Sequence, residues 1–415
     1  MIALSLASSA CNDPCAQAAK QESSQTAEIC ERHFRETGNI QAGVTALKAH
    51  ARAKNVKAAD ALATRLDGTK VSSDVFLVMG ELYESTRDGR AASTLARAVE
   101  GLAAAGDHAR ASHAARTQTR AAWRASRYQE ALTALDRALS EAERANDASL
   151  AGKAYLSLFS ILFELGDLNG ARRALGEATA REKSLEPAMS TLIGFNRGLL
   201  ASAEDNPKSA RLAFEAVLGS PATKPTSDVA WNARLNLLAM AIDAGDRDTA
   251  EQAWKATKQV FEAGGFGARP ASRVIFALRS AQLARLQGAP EKVLSLTETA
   301  LADQPAPEWQ WLVQLERGRA FSALDRLDDA EAAYTAAATI VDGLRGEQFD
   351  DFKSWVVAQR RAPYVALFAL HVQRGNALAA TEIFERTQGR TFMDAFAAAA
   401  QSQPGDRGSS AAARV

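Results

Sequence analysis

A short polar turn followed by the start of an apolar helix recurs through most of this chain. It stands at Asp88-Gly89-Arg90-Ala91-Ala92, Arg127-Tyr128-Gln129-Glu130-Ala131, Asp167-Leu168-Asn169-Gly170-Ala171, Asn206-Pro207-Lys208-Ser209-Ala210, Asp246-Arg247-Asp248-Thr249-Ala250, Ala289-Pro290-Glu291-Lys292-Val293 and Arg326-Leu327-Asp328-Asp329-Ala330. Successive spacings of the closing residues, from Ala92 to Ala330, are 39, 40, 39, 40, 43 and 37. A period of this size marks a stacked array, in which each unit touches only its neighbours. Each turn then belongs to one antiparallel helix pair.

The helix after each turn repeats one apolar pattern. Ala131, Ala134, Leu135, Ala138 and Leu139 match Ala171, Ala174, Leu175 and Ala178, then Ala210, Ala213, Phe214, Val217 and Leu218, then Ala330, Ala333, Tyr334, Ala337 and Ala338. Offsets of 0, 3, 4, 7 and 8 make one face of a 3.6-residue helix, and small residues at the first two let the paired helix approach closely. One pair cannot bury that face alone, so neighbours complete the core. Strands are not expected, because β-branched residues are scattered and make no alternating runs. The fold expected is all-α, a right-handed superhelical solenoid of antiparallel hairpins.

Arg127-Tyr128-x2-Ala131-Leu132 and Leu324-Asp325-Arg326-Leu327-Asp328-Asp329-Ala330-Glu331-x2-Tyr334-x2-Ala337 resemble tetratricopeptide repeats over about residues 75 to 390. The period near 40 exceeds that family's usual 34 and implies helices about one turn longer. Pro363-Tyr364-Val365-Ala366-Leu367 with Glu385-Arg386-Thr387-Gln388-Gly389-Arg390-Thr391-Phe392-Met393-Asp394-Ala395-Phe396 is similar to the segment leading from bacterial tetratricopeptide arrays into a CHAT domain, a caspase-like peptidase. The peptidase itself is not expected here, since no cysteine follows Cys30. The resemblance implies a sensor or adaptor arm, with a CHAT-type peptidase as a possible separate partner.

The expected organisation is a signal or lipoprotein remnant or disordered N-terminus at 1–24, N-terminal helices at 25–72, the array at 73–398 and a disordered tail at 399–415. The three cysteines, Cys11, Cys15 and Cys30, all lie near the start. Leu4-Ser5-Leu6-Ala7-Ser8-Ser9-Ala10-Cys11 resembles the end of a bacterial lipoprotein signal, in which Cys11 would be lipidated; Cys15 and Cys30 would then be free to form a disulfide. A zinc site of Cys11, Cys15, Cys30 and His33 competes with that reading, as do three unpaired thiols in the cytoplasm. Location stays open between cytoplasm and bacterial envelope, with membrane attachment only through such a lipid.

With 49 basic and 49 acidic residues there is no global field to draw the chain onto nucleic acid. No Walker, His-Glu-x2-His or Gly-x-Ser-x-Gly motif occurs, so neither an enzyme nor a cofactor is expected. Gly264-Gly265-Phe266-Gly267 reads as an interhelical loop. Of the other histidines, His108 and His113 stand five apart on different faces of a helix, and His50 and His371 have no evident partner. Arg116, Arg120 and Arg124 form an i, i+4 ladder that could bind an anion or simply be solvated. Trp309 and Trp311 stand two apart and cannot share one face, so one is expected to be an exposed anchor.

The main functional expectation concerns the first helix of each pair. Fourteen residues before the turn-closing positions stand Thr117, Ser157, Asn196, Asn236, Arg279 and Glu316. This polar stripe would line a concave groove and hold a peptide or helix of a protein partner. The alternative role for these residues is to bond backbone groups or neighbouring helices.

Overall fold

The computed structural model describes residues 13–22, 24–125, 127–346 and 360–386. Every regular element among them is helical. Contacts divide the chain between Leu158 and Phe159 into two compact units.

The first unit contains α1 (Pro14–Lys20), α2 (Thr26–Thr37), α3 (Ile40–Arg52), α4 (Val56–Leu66), α5 (Ser72–Thr86), α6 (Ala91–Ala104), α7 (His108–Arg124) and α8 (Tyr128–Arg144), and ends within α9 (Ala148–Leu165). Each helix packs on the one before it through α8, and α5 also touches α3 and α7. The second unit continues with α10 (Leu168–Ala180), α11 (Pro187–Ala203), α12 (Pro207–Gly219), α13 (Asp228–Asp243), α14 (Arg247–Ala263), α15 (Pro270–Leu286), α16 (Pro290–Ala302), α17 (Pro307–Ala323), α18 (Leu327–Gly346) and α19 (Ala362–Gln373), followed by a helix at 377–386. Here α11 pairs with α12, α13 with α14, α15 with α16 and α17 with α18, while the first helices α11, α13, α15 and α17 touch in succession. This is the repeating contact pattern of an antiparallel helical solenoid.

Three positions, counted back from each turn-closing residue, explain why the chain keeps folding into hairpins. Five residues before it the backbone is left-handed: Arg87, Gly166, Asp205, Gly245, Gly288 and Asp325 have φ between 56° and 83°. The corresponding Ser126 lies outside the described residues. One such residue ends a helix and lets the next amide reach back five residues, as in Asp88 N to Tyr83 O at 2.8 Å, Asn206 N to Ala201 O at 2.9 Å and Arg326 N to Phe321 O at 2.9 Å. Four residues before it, Asp167, Asn206 and Asp246 cap the second helix by accepting from the amides of Gly170, Ser209 and Thr249.

Twelve residues before the turn-closing position, the first helix meets the second. Gly80, Gly198 and Gly318 occupy it in three hairpins, and a Cβ there would come within 2.5 Å of Leu95, Phe214 and Tyr334 respectively. The large side chain of the second helix fills the space each glycine leaves. The turn-closing residues themselves, Ala92, Ala131, Ala171, Ala210, Ala250, Val293 and Ala330, are all buried.

Where the spacing stretches to 43, the Gly264–Gly267 loop carries more than a connection. Gly265 is left-handed and a single 3-10 turn, Phe266–Ala268, drives Phe266 into the core. Its ring stacks on Trp231 at 4.6 Å between centroids, within a group that includes Phe261 and Phe276. Trp254 lies against Phe276 and donates Nε1 to Ser280 Oγ at 2.8 Å.

Trp309 and Trp311 do face differently, yet neither is an exposed anchor. Trp309 packs on the cluster of Ala277, Leu278, Ala300 and Val313, and Trp311 is buried in the next cluster, with Leu315, Phe321 and Tyr334. Two neighbouring layers use the two faces of one helix.

Candidate functional site

The polar stripe separates into two kinds of residue. Thr117 Oγ1 donates to His113 O at 3.0 Å, Ser157 Oγ to Lys153 O at 3.2 Å and Asn236 Nδ2 to Asn232 O at 2.8 Å. Each bonds the carbonyl four residues earlier in its own helix, which satisfies the side chain locally. Glu316 has only 1% of its surface exposed and is closed from both sides, by Arg285 Nε at 2.8 Å and Arg319 Nη1 at 2.6 Å.

Asn196 and Arg279 differ. Asn196, on α11, is 4% exposed, and its Nδ2 is buried without an acceptor. Arg279, on α15, donates Nη1 to Gln282 Oε1 at 2.7 Å, while its Nε is buried with no partner. Burial pushes the Arg279 guanidinium below the usual arginine pKa, and the nearby carboxylates of Asp243 and Glu316 oppose that push. Buried donors without acceptors are rare in folded chains because each loses its hydration without replacement. Sequence pattern located these positions but could not show which were already satisfied.

The arginine ladder on α7 is engaged within the chain. Arg120 Nε and Arg124 Nη1 both reach Glu84 Oε1, at 3.4 and 2.6 Å, and Arg116 lies on the same helix. Glu84 thus supplies a carboxylate to two of the three arginines.

The histidines, which showed no partner in sequence, each face a carboxylate on another helix. His50 Nε2 lies 3.2 Å from Glu31, His113 Nε2 2.8 Å from Glu81, His371 Nε2 4.0 Å from Glu331 and His108 Nδ1 2.6 Å from Glu141. These partners are 19 to 40 residues away in sequence, beyond the reach of local pattern.

Cys15 and Cys30 are joined by a disulfide that links α1 to α2, and His33 Nε2 lies 3.7 Å from Asp13. Cys11 lies outside the described residues, as does the CHAT-like segment from Thr387 onward. Among the described residues no group of three His, Cys, Asp or Glu side chains is placed to hold a metal ion.

No protein-family model and no curated protein matches the chain in sequence. Among solved structures, the chain is similar to a Rap protein complexed with competence and sporulation factor, at 12% identity over 80% of this chain and 97% of that one, with a TM-score of 0.55. Two looser alignments are to yeast Tom70, at 11% identity over 94% and 95% of the two chains with a TM-score of 0.42, and to the APC/C hetero-tetramer Cut9-Hcn1, at 11% over 90% and 95% with 0.29. The Rap likeness shows the fold alone: a tetratricopeptide-like helical-repeat solenoid.

Proposed function

We propose that this chain is a non-catalytic scaffold whose second unit binds an extended segment of a protein partner along the successive first helices α11, α13, α15 and α17. The observation that carries this reading is the buried, unpartnered Nδ2 of Asn196 on that row. An intramolecular role should give a buried amide its acceptor, whereas a peptide carbonyl supplies one only when bound. The fold is compatible, since the Rap protein of the same architecture was solved with a factor bound.

The test compares wild type with the Asn196→Ala, Asn236→Ala double variant, using partners retained from the native cell and then purified. The expected result is binding weakened by about tenfold or more, the equivalent of one or two lost hydrogen bonds, with the array still folded. A partner that protects these first helices from hydrogen exchange yet binds the variant unchanged would remove the stripe from the mechanism. Recovery of a CHAT-type peptidase would identify the chain as the regulatory arm of a proteolytic system.

A further inference from the structure

Arg279 is an unusual cation in this chain. Most arginines described here close on carboxylates: Arg273 on Asp303, Arg285 and Arg319 on Glu316, Arg374 on Asp328 and Glu331. Arg279 has no carboxylate within ion-pair distance, and its one protein hydrogen bond goes to the neutral amide oxygen of Gln282. Its Nε is sealed from solvent without an acceptor, and its Nη2 has no acceptor either, on a side chain that is half-buried. The guanidinium is thus partly withdrawn from water, with one of its terminal nitrogens unclaimed by the chain.

The two carboxylates nearest in effect do not resolve this. Both oxygens of Glu316 are already taken by Arg285 and Arg319. Asp243, on α13, is exposed and forms no ion pair with Arg279. The local set is three guanidiniums, Arg279, Arg285 and Arg319, against two carboxylates. One positive charge is left over at a place where leaving a charge unpaired is costly.

We infer that Arg279 is the acid-recognising position of the binding face, taking one carboxylate of the bound segment on its unclaimed Nη2. This rests on the groove reading proposed above and adds the chemistry of the ligand. A carboxylate there accepts a charge-assisted N–H···O bond and brings the missing charge. Glu316 acts as a positioning residue: by holding Arg285 and Arg319 it keeps them from competing with Arg279 for the incoming anion.

The face also sets a spacing. Asn196 on α11 and Arg279 on α15 are separated by one intervening first helix, α13, and contacting helices lie about 8–10 Å apart. Two such steps are roughly 16–20 Å, which an extended chain covers in about five or six residues. The ligand is accordingly a segment with one acid about that far from the residue whose carbonyl meets Asn196.

The experiment offers the full chain two randomised peptide libraries, one with free and one with amidated C-termini, and sequences what is retained. Wild type is expected to retain peptides with Asp or Glu at a fixed position from both libraries, or to bind only free termini if the carboxylate is the terminal one. Arg279→Gln should lose that preference, with the best acidic peptides weakened by about tenfold or more. Its melting temperature should stay level or rise, because an uncompensated charge has been removed, whereas a purely structural arginine would lower it. Should Arg279→Gln fail to fold, Arg279→Lys decides, since a retained charge keeps the acidic preference while losing the planar guanidinium contact. Retained peptides without acidic preference, or with a preference unchanged in Arg279→Gln, would overturn this inference and leave the groove reading standing. No retained peptide from either library would overturn both.

Discussion

Two buried glutamates, one in each unit, show how similar parts can be closed in different ways. Glu141 on α8 is fully buried; His108 Nδ1 stands 2.6 Å from Oε2, Arg144 Nη1 donates to Oε1 at 3.0 Å, and Arg137 Nε lies 3.1 Å away at an angle too poor for a hydrogen bond. Glu316 on α17 is equally withdrawn and held by two arginines, but a third, Arg279, stands nearby without an ion pair of its own. In the first arrangement all three basic side chains lie within ion-pair distance of the glutamate itself. The second leaves one cation to be matched from outside, which makes a solenoid layer a candidate for recognition rather than for stability alone.

The largest test of that contrast removes each acid. Glu141→Ala and Glu316→Ala should each cost about 3 kcal/mol, the low end for breaking a buried ion pair because the partner guanidiniums can still reach water. The two sites should then part company. Adding Arg279→Gln to Glu316→Ala should recover a measurable share of the loss, through relief of crowding among three cations. Urea denaturation followed by hydrogen exchange on each unit would read this, and a strictly additive double variant would mean that Arg279 and Glu316 do not sense one another.

A second test concerns the position two residues beyond Glu316. Gly318→Ala would bring a methyl group within 2.5 Å of the Tyr334 ring and should destabilise the second unit by about 1–3 kcal/mol. The equivalent site in the α7–α8 hairpin already holds a side chain, Thr119, whose hydroxyl donates to Ala115 O at 3.0 Å. Thr119→Ala should therefore cost less, and the melting curves of the two variants side by side would show which hairpin is packed backbone to ring.

The smallest effects lie in the turns. Gly288→Ala should destabilise by about 1 kcal/mol, since its φ of 73° is left-handed. Asp325→Gly, at the equivalent turn with φ 57°, should leave stability level or raise it by a few tenths of a kcal/mol. Opposite signs in these thermal shifts would confirm that the turns demand one backbone shape whatever residue occupies them.

The fold was legible from sequence because its determinants are local and recur. The second-helix face at offsets 0, 3, 4 and 7 needs only a helical period to be seen, and Ala131, Ala134, Leu135 and Ala138 are buried as that period requires. The close approach at Gly80, Gly198 and Gly318 was not legible. The other hairpins place Thr119, Phe159, Leu238 or Ala281 there, so no residue type repeats and only the partner across the hairpin explains the glycine. Similarly, the stripe could be counted out from the turns, but whether a Thr or Asn bonds its own helix depends on a rotamer, which sequence spacing does not encode. The loop holding Phe266 looked like mere connection because glycine surrounds it. Its aromatic ring is what the neighbouring layer needed.

The binding of arginines to carboxylates throughout this chain, together with its balance of 49 basic and 49 acidic residues, bears on the kinetics of encounter. With no net charge and many of its arginines closed on carboxylates, the chain projects little potential beyond a Debye length, so a partner would approach without steering, at ordinary rates of about 10⁵–10⁶ M⁻¹s⁻¹. A single half-buried cation acts only after contact and is little screened by salt. For the partner we propose, affinity would then be written almost wholly in dwell time: slow to leave, indifferent to ionic strength, and in no hurry to arrive.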